Sequence, residues 1–450
     1  MTTQHPTTTS RPSRRGFLAG ASALAVSPWL SASLAFAQLR GRQTDGQLTP
    51  RPIAIPDLLG DDPKFGADLA NVVSADLGGS GLFQPLDPRA FIDRIADINQ
   101  VPRYADWKAV GAEALLVGRT TKSLDGRLGA EFRLYDTVLA RQIDAKSVAI
   151  PPQNWRRLAH IVADRVYERM TQEKGYFDTQ VAFIDETGPK DRRLKRLAIM
   201  DQDGFNVKLL SQGRELVLTP RFSPTQQEIC FTQYELQQAT SRVFVMNLDT
   251  GQRELVGNFQ GQIFGPRFTP DGQRIIMSVA EAGITNLVEM DLRSKQMRRL
   301  SQGTSIDTGP CYSPDGKAIV FESDREGTQQ LYVMGSGGGG GQRISRGDGR
   351  YSTPVWSPRG DYIAFTKQTG GRFLIGVIMP DGTGERILSD GFHNEGPTWA
   401  PNGRVLMFFR EGQGATAGPK LFSVDLTGYN ERPIPTPAFG SDPAWSPLRT

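Results

Sequence analysis

The sequence predicts a six-bladed β-propeller in the C-terminal part of the chain and a smaller N-terminal α/β domain before it. A short motif of proline, an aromatic residue and a second proline recurs six times from residue 219 onward. The chain also has 49 glycines and 30 prolines. Together they make up about 18% of the residues, compared with roughly 12% in average proteins. Together these features are typical of many short strands joined by tight turns.

Residues 1–37 have the features of an export signal. Arg14 and Arg15 form a twin-arginine pair, an apolar stretch follows, and an Ala-Phe-Ala cleavage site ends at Ala37. A stretch of about 20 apolar residues could instead remain as a membrane anchor, but its serines, glycine and proline favour cleavage. We therefore expect a mature periplasmic chain with no membrane span.

Residues 38–177 are predicted to form the α/β domain, which begins with a flexible polar arm. Apolar residues recur on one face of two helical segments, and Asp125-Gly126 is typical of a hairpin turn. The predicted elements are a strand at 52–55, a helix at 65–77, a strand at 114–117 and a helix at 154–174 that Gly175 closes.

Residues 178–450 are predicted to form the propeller, because the chain repeats there with a period near 44 residues. In each copy an aromatic residue marks the first strand, a tight turn follows, and an Ile-x-Phe pattern marks the second strand. The first prolines of the six copies are Pro220, Pro266, Pro310, Pro354, Pro397 and Pro443.

The sixth copy lacks a second strand, and this predicts how the ring closes. An unmatched strand, Val181-Ala182-Phe183, precedes the first complete copy. We therefore expect five continuous blades and one shared blade, in which a C-terminal strand at 442–446 completes the sheet that begins near Thr179. Closure of this kind leaves no open sheet edge.

Composition excludes several classes of function. The formal net charge is +4, but it falls to about +1 without the three arginines of residues 1–37, so nothing favours nucleic-acid binding. Beyond the signal the chain has two histidines, of which His160 is predicted to be a surface residue and His393 lies in a loop. We therefore expect no metal site and no cofactor. Cys230 and Cys311 are predicted to be free thiols on blades that are not neighbours.

The copies GPCYSPDGKAIVF (309–321) and TPVWSPRGDYIAF (353–365) resemble the repeats of the TolB family. These are periplasmic propeller proteins of the Tol–Pal envelope system, and the order of signal, α/β domain and propeller is also similar. The resemblance implies a non-catalytic, monomeric interaction protein that links inner-membrane Tol proteins to the lipoprotein Pal. It further implies a role in outer-membrane integrity and cell division. TolA would bind the N-terminal arm, at Leu39, Arg40, Ile53 and Ile55.

The loops that lead into the first strand of each blade are expected to gather, exposed, on one rim of the propeller. Their aromatic, arginine and amide side chains suit protein recognition, although ordinary solvated loops can have the same composition. The TolB resemblance implies that Pal docks here, with Gln262, Gly265 and Thr308 at matching positions. The predicted rim residues are Gln262, Phe264, Gly265, Asp307, Thr308, Arg350, Tyr351, His393 and Asn394.

An exported propeller enzyme, a hydrolase or lyase with its active site in the channel, is the alternative. It requires a cluster of histidine and carboxylate side chains on the innermost strands, for which the chain has few histidines. A serine hydrolase is disfavoured because the sequence contains no G-x-S-x-G nucleophile motif.

Overall fold

The structure, a computed structural model, describes residues 49–235, 240–257, 259, 261–414 and 417–449. The predicted signal with Arg14, Arg15 and Ala37, and the arm residues Leu39 and Arg40, lie outside the described residues. Within the described ranges, no helix is long and apolar enough to cross a membrane.

The N-terminal domain is a five-stranded mixed sheet with two long helices packed against it. The strand order is β2-β1-β3-β4-β5, in which β1 pairs parallel with both β2 and β3 and the remaining pairs are antiparallel. The elements are β1 (Arg51–Ala54), α1 (Pro63–Gly79), β2 (Phe83–Pro85), α2 (Tyr104–Ala109), β3 (Ala114–Lys122), β4 (Leu128–Asp136), β5 (Arg141–Ile150) and α3 (Trp155–Thr171).

Local sequence explains where the long helices begin and end. Helix α1 starts at Pro63, and the carboxylate of Asp62 accepts a hydrogen bond from the Phe65 amide, as a helix N-cap does. Helix α3 ends at Thr171, where Gln172 adopts the left-handed conformation at φ 62°. The predicted cap at Gly175 is therefore wrong. Glycine is required there by close packing, because an added Cβ would lie 2.1 Å from a carboxylate oxygen of Asp164.

The propeller consists of six four-stranded antiparallel sheets, as predicted. Blade 1 runs β9-β10-β11-β12 from the inside outward, the next four blades follow in chain order, and blade 6 runs β29-β6-β7-β8. The strands are β6 (Gln180–Thr187), β7 (Leu194–Asp201), β8 (Lys208–Leu209), β9 (Leu216–Phe222), β10 (Glu228–Glu235), β11 (Thr240–Asn247), β12 (Arg253–Leu255), β13 (Gln262–Phe268), β14 (Arg274–Glu281), β15 (Ile284–Asp291), β16 (Met297–Arg299), β17 (Asp307–Tyr312), β18 (Ala318–Ser323), β19 (Gln330–Gly335), β20 (Gln342–Arg343), β21 (Arg350–Trp356), β22 (Ile363–Thr369), β23 (Arg372–Ile378), β24 (Arg386–Gly391), β25 (Asn394–Trp399), β26 (Val405–Arg410), β27 (Lys420–Asp425), β28 (Arg432–Ile434) and β29 (Phe439–Trp445).

The shared blade closes the ring. Strand β29 pairs antiparallel with β6, with Trp445 opposite Val181, so the prediction of closure by the C-terminal strand is confirmed. Strand β29 also contacts the innermost strands β25 and β9 of the two neighbouring blades. Each innermost strand therefore has a neighbour on both sides, and the sheet edge that a linear array would leave open is covered.

Every innermost strand carries a bulge at the residue before its repeated proline. This residue is in the left-handed region in all six blades, with φ between 49° and 63°. A bulge re-aims the side chains on either side of it. The six left-handed residues are Thr219, Gly265, Gly309, Thr353, Gly396 and Asp442.

One hydrophobic core joins the α/β domain to the propeller. It contains Val162 of α3 together with Phe183 and Met407 of the propeller, all with 0% exposure. The Tyr176 ring in the connecting segment lies 5.8 Å from Trp445 in β29. Full burial of one such side chain is worth about 1.5–3 kcal/mol, so the two parts stabilise each other. Cys230 and Cys311 are free thiols, as predicted, and both are buried.

Candidate functional site

The rim is the end of the propeller at which the six innermost strands begin. Along these strands the residue two positions before the left-handed residue is buried in every blade. Successive strand residues point to opposite faces, so the residues one and three positions before it lie on the other face. All of these are at least partly exposed except Ser441, which is buried. The six inward residues are Val217, Ile263, Asp307, Tyr351, Asn394 and Gly440.

Four of the predicted rim residues face outward. Gln262 and Arg350 are exposed, and Phe264 keeps 43% of its surface accessible. His393 is half-buried: its ring stacks on Phe373 at a centroid distance of 4.3 Å. Gly265 occupies the left-handed bulge itself, at φ 56°.

Three predicted rim residues are instead interior residues, so this part of the prediction is wrong. Asp307, Tyr351 and Asn394 each have 0% exposure. Two of them pair with arginines within the propeller. Asp307 Oδ1 accepts from the Arg325 guanidinium at 3.0 Å, and Asn394 Oδ1 accepts from that of Arg410 at 2.7 Å. These residues were predicted to lie in loops, but they belong to the innermost strands. Because the side chains of a strand alternate between its two faces, these three point into the propeller.

Tyr351 is the third of these interior residues. Its hydroxyl donates to a carboxylate oxygen of Glu385 at 2.8 Å. Burial raises the pKa of Tyr351 to about 12, so the phenol stays protonated as the donor. Its role is to hold the blade together.

Thr308 was predicted to be an exposed contact residue, but its hydroxyl is hydrogen-bonded to the buried carboxylate of Glu322. Its hydroxyl donates to Glu322 Oε1 at 2.7 Å, and the amide of Thr353 donates to Glu322 Oε2 at 2.9 Å. Burial raises the pKa of Glu322 above its usual range. Glu322 thus connects blade 3 to blade 4. Thr308 therefore helps to hold these two blades in place at the rim, in addition to forming part of the rim surface.

Two apolar side chains add to the exposed surface of the rim. Ile306 is 47% exposed and Phe392 is 50% exposed. Ile306 was missed by sequence reasoning, although it lies three positions before the left-handed Gly309 and strand alternation could have identified it. We call Gln262, Phe264, Ile306, Arg350, Phe392 and His393 the rim patch.

Two of the predicted TolA-binding residues are core residues, which corrects that prediction. Ile53 and Ile55 have 0% and 3% exposure. Ile53 lies in β1, which is paired on one side with β2 and on the other with β3. Both edges of β1 are therefore occupied, and a partner strand cannot be added to it.

His160 is fully buried, so the prediction of a surface histidine is wrong. Its Nδ1 lies 2.6 Å from Asp76 Oδ2 in α1, and Gln202 of blade 6 donates to the other oxygen of Asp76 at 2.9 Å. Its Nε2 faces the carboxylates of Asp201 and Asp203 at 3.9 and 4.0 Å. The histidine thus connects the α/β domain to the propeller.

The carboxylates around His160 determine its protonation state at this junction. Burial alone would lower the pKa of His160, but the carboxylates of Asp76, Asp203 and Asp201 outweigh burial and raise it to about 9. Burial also raises the pKa of Asp76, and the charge of His160 only partly offsets this. The pKa of His160 is the one that the carboxylates dominate, so the imidazole is charged at neutral pH. Asp76, His160 and Asp203 are close enough to approach a metal ion together. The Arg156 guanidinium, however, already pairs with Asp203, so the group is better described as an ion-pair network.

Comparison with known proteins identifies close relatives of this architecture. A family model described as "TolB beta propeller domain" matches residues 167–449, and one described as "TolB amino-terminal domain" matches residues 43–143. The crystal structure of TolB from Acinetobacter baumannii is 26% identical with a TM-score of 0.79, over 89% of this chain and 97% of that one.

More distant propellers are also similar. An oligogalacturonate lyase from Vibrio parahaemolyticus is 12% identical with a TM-score of 0.38, over 56% of this chain and 73% of that one. The propeller domain of the Trilobed protease from Pyrococcus furiosus is 12% identical with a TM-score of 0.41, over 57% and 94%. At this distance neither enzyme informs the function of this chain.

Proposed function

The chain belongs to the TolB family, and on that premise we propose that it is a non-catalytic interaction protein of the Tol–Pal system in the periplasm. TolB family proteins are periplasmic and generally non-enzymatic. The protein would link Tol proteins of the inner membrane to the lipoprotein Pal. In this way it would support outer-membrane integrity and envelope constriction at cell division.

The rim patch is the observation that supports Pal binding most strongly. Phe264, Ile306 and Phe392 expose 43%, 47% and 50% of their surfaces at one end of the propeller, and Arg350 is exposed at the same end. Aromatic and arginine side chains are enriched at the energetic centres of protein interfaces. A partner seated on the patch would bury apolar surface that water now contacts.

Calorimetric titration with the soluble domain of Pal from the same organism tests this proposal. We expect Phe264→Ala and Arg350→Ala each to weaken binding about tenfold or more, since truncation of a central interface residue commonly costs 1–2 kcal/mol or more. Tyr429→Ala is the matched control. Tyr429 is 49% exposed, but it lies between β27 and β28 at the opposite end of the propeller. Equal losses in all three variants, or no binding by the unaltered protein, would contradict the proposal.

TolA binding is proposed for the arm that precedes β1, with Leu39 and Arg40 as contacts. Ile53 and Ile55 are left out of this proposal because they lie in the core. Deletion of residues 38–48 should abolish capture of TolA while binding of Pal and the melting temperature stay unchanged. If Pal binding disappears as well, the arm supports the fold and not a separate partner.

No observation favours the alternative of a propeller enzyme. In the described part of the chain, His160 lies in α3 and His393 precedes β25, so neither belongs to an innermost strand. Metal analysis of the purified mature protein is the direct test. A stoichiometric transition metal that survives dialysis would favour the enzyme.

A further inference from the structure

A cavity of about 390 Å³ lies at the end of the channel opposite the rim, where the innermost strands end. All six blades line it in the same way. Each contributes the residue after its repeated proline, the aromatic residue that follows, and the proline of the next turn. The volume falls in the range of small-molecule sites. We call this cavity the channel mouth.

The channel mouth holds two arginines and no acid among its described lining residues. Arg221 of blade 1 and Arg267 of blade 2 occupy the position after the repeated proline, where the other four blades have Cys311, Val355, Thr398 and Ala444. The innermost strands of blades 1 and 2 contact each other. The two positive charges therefore come from adjacent positions on neighbouring strands.

Few groups of the protein neutralise or hydrogen-bond these two guanidinium groups. Arg221 donates one hydrogen bond, to the Pro220 carbonyl at 2.6 Å, and no described residue forms an ion pair or hydrogen bond with Arg267. The carboxylate of Asp442 is near enough to attract Arg221, but it lies beyond ion-pair distance and accepts a hydrogen bond from the Thr219 amide. Burial, and then repulsion by Arg267, lower the pKa of Arg221 to about 9.

Most of the other polar groups of the channel mouth already have hydrogen-bond partners within the protein. The indole N–H groups of Trp356, Trp399 and Trp445 each donate to an oxygen atom within the protein. The Tyr312 hydroxyl donates to Glu289, and the Thr398 hydroxyl accepts from the Trp445 amide. Among the described residues, the charged groups left to recognise a ligand are therefore the two guanidinium groups, and the Thr398 hydroxyl keeps its hydrogen as a further donor. Aromatic side chains surround them.

We propose that the channel mouth binds a small oxyanion, a carboxylate or phosphate group carried by a small molecule. A guanidinium group presents paired N–H donors that match either oxyanion. Two of them in a partly desolvated site attract an anion more strongly than they would in water. The proposal is independent of Pal binding, because the rim patch is at the opposite end of the channel.

Titration calorimetry on the mature protein tests the proposal, with inorganic phosphate, acetate and benzoate as separate probes at constant ionic strength set by chloride. We expect saturable binding of at least one probe. Tighter binding of benzoate than of acetate would show that the aromatic walls contribute, and binding of phosphate alone would assign a phosphate site. No saturable binding of any probe would overturn the proposal.

Variants connect the binding to the two arginines. Arg267→Gln and Arg221→Gln should each weaken the bound probe at least tenfold, and Arg267→Lys should weaken it less because the charge remains. Arg350→Gln, an exposed arginine on the rim, is the matched control and should leave binding unchanged. Melting temperatures without the probe verify that each variant is folded. Unchanged affinity in Arg267→Gln, or an equal loss in Arg350→Gln, would refute the site.

Discussion

Substitution of His160 by glutamine tests the charged junction between the α/β domain and the propeller. The rise of the His160 pKa from 6.5 to about 9 corresponds to about 3 kcal/mol of folding free energy, at 1.36 kcal/mol per pKa unit. Removal of one partner from a buried ion pair typically costs 3–5 kcal/mol. We therefore expect His160→Gln to lower the free energy of unfolding by about 3 kcal/mol at pH 6.

The pH dependence separates charge from packing. Because the folded-state pKa is raised, the contribution of His160 is fully present below pH 6.5 and is lost as the pH rises through about 9. Urea unfolding at pH 6, 7, 8, 9 and 10 should therefore show a gap between wild type and variant that narrows with pH. An equal gap at pH 6 and pH 10 would refute the charged pair and indicate lost packing.

Two further variants serve as controls. His393→Gln replaces the half-buried rim histidine and should change stability by less than about 1 kcal/mol, as surface substitutions generally do. The double variant Asp76→Asn/His160→Gln removes both charges of the buried pair. It should be more stable than His160→Gln alone, because no uncompensated carboxylate remains in the core.

The remaining predictions concern closure, thiols and export. Deletion of residues 439–450 removes β29 and exposes the edge of β6, and the loss of Trp445 alone should cost about 3–5 kcal/mol. The propeller should therefore unfold as a whole, whereas a chain that lacks only Thr450 should melt normally. An unchanged melting temperature of the truncated chain would contradict closure by β29. Thiol titration of the denatured, unreduced protein should find both Cys230 and Cys311, and a count of zero would contradict the buried free thiols. Replacement of Arg14 and Arg15 by lysine should leave precursor in the cytoplasm, and a normal periplasmic yield would indicate a different export route.

The fold was predictable because the propeller is built from a local repeat. Each copy encodes its own aromatic residue, turn and second strand within about a dozen residues, and local contacts are what sequence patterns report. The unmatched strand at Val181 and the incomplete sixth copy together predicted the pairing of β6 with β29. The TolB propeller-domain match spans residues 167–449, a range that includes all six blades.

The site was predicted less well, because exposure depends on what the rest of the fold places nearby. Asp307 and Asn394 look like loop residues in sequence, but strand alternation turns them inward and arginines at sequence distances of 18 and 16 residues pair with them. From the sequence, Ile53 and Ile55 are expected to lie on an accessible strand. In the fold, β2 and β3 pair with the two edges of β1 and leave neither edge accessible.

In helix α3 the sequence failed in the opposite sense, because a residue predicted to be exposed is buried. Its apolar residues predict one buried stripe, and His160 lies off that stripe, yet α1 and blade 6 approach that side of the helix and bury the histidine. The sequence by itself therefore determined the blades, their number and their closure, since these follow from short-range patterns. Only the tertiary structure decided which polar residues are interior and that Arg221 and Arg267 share one cavity, because both depend on contacts between distant segments.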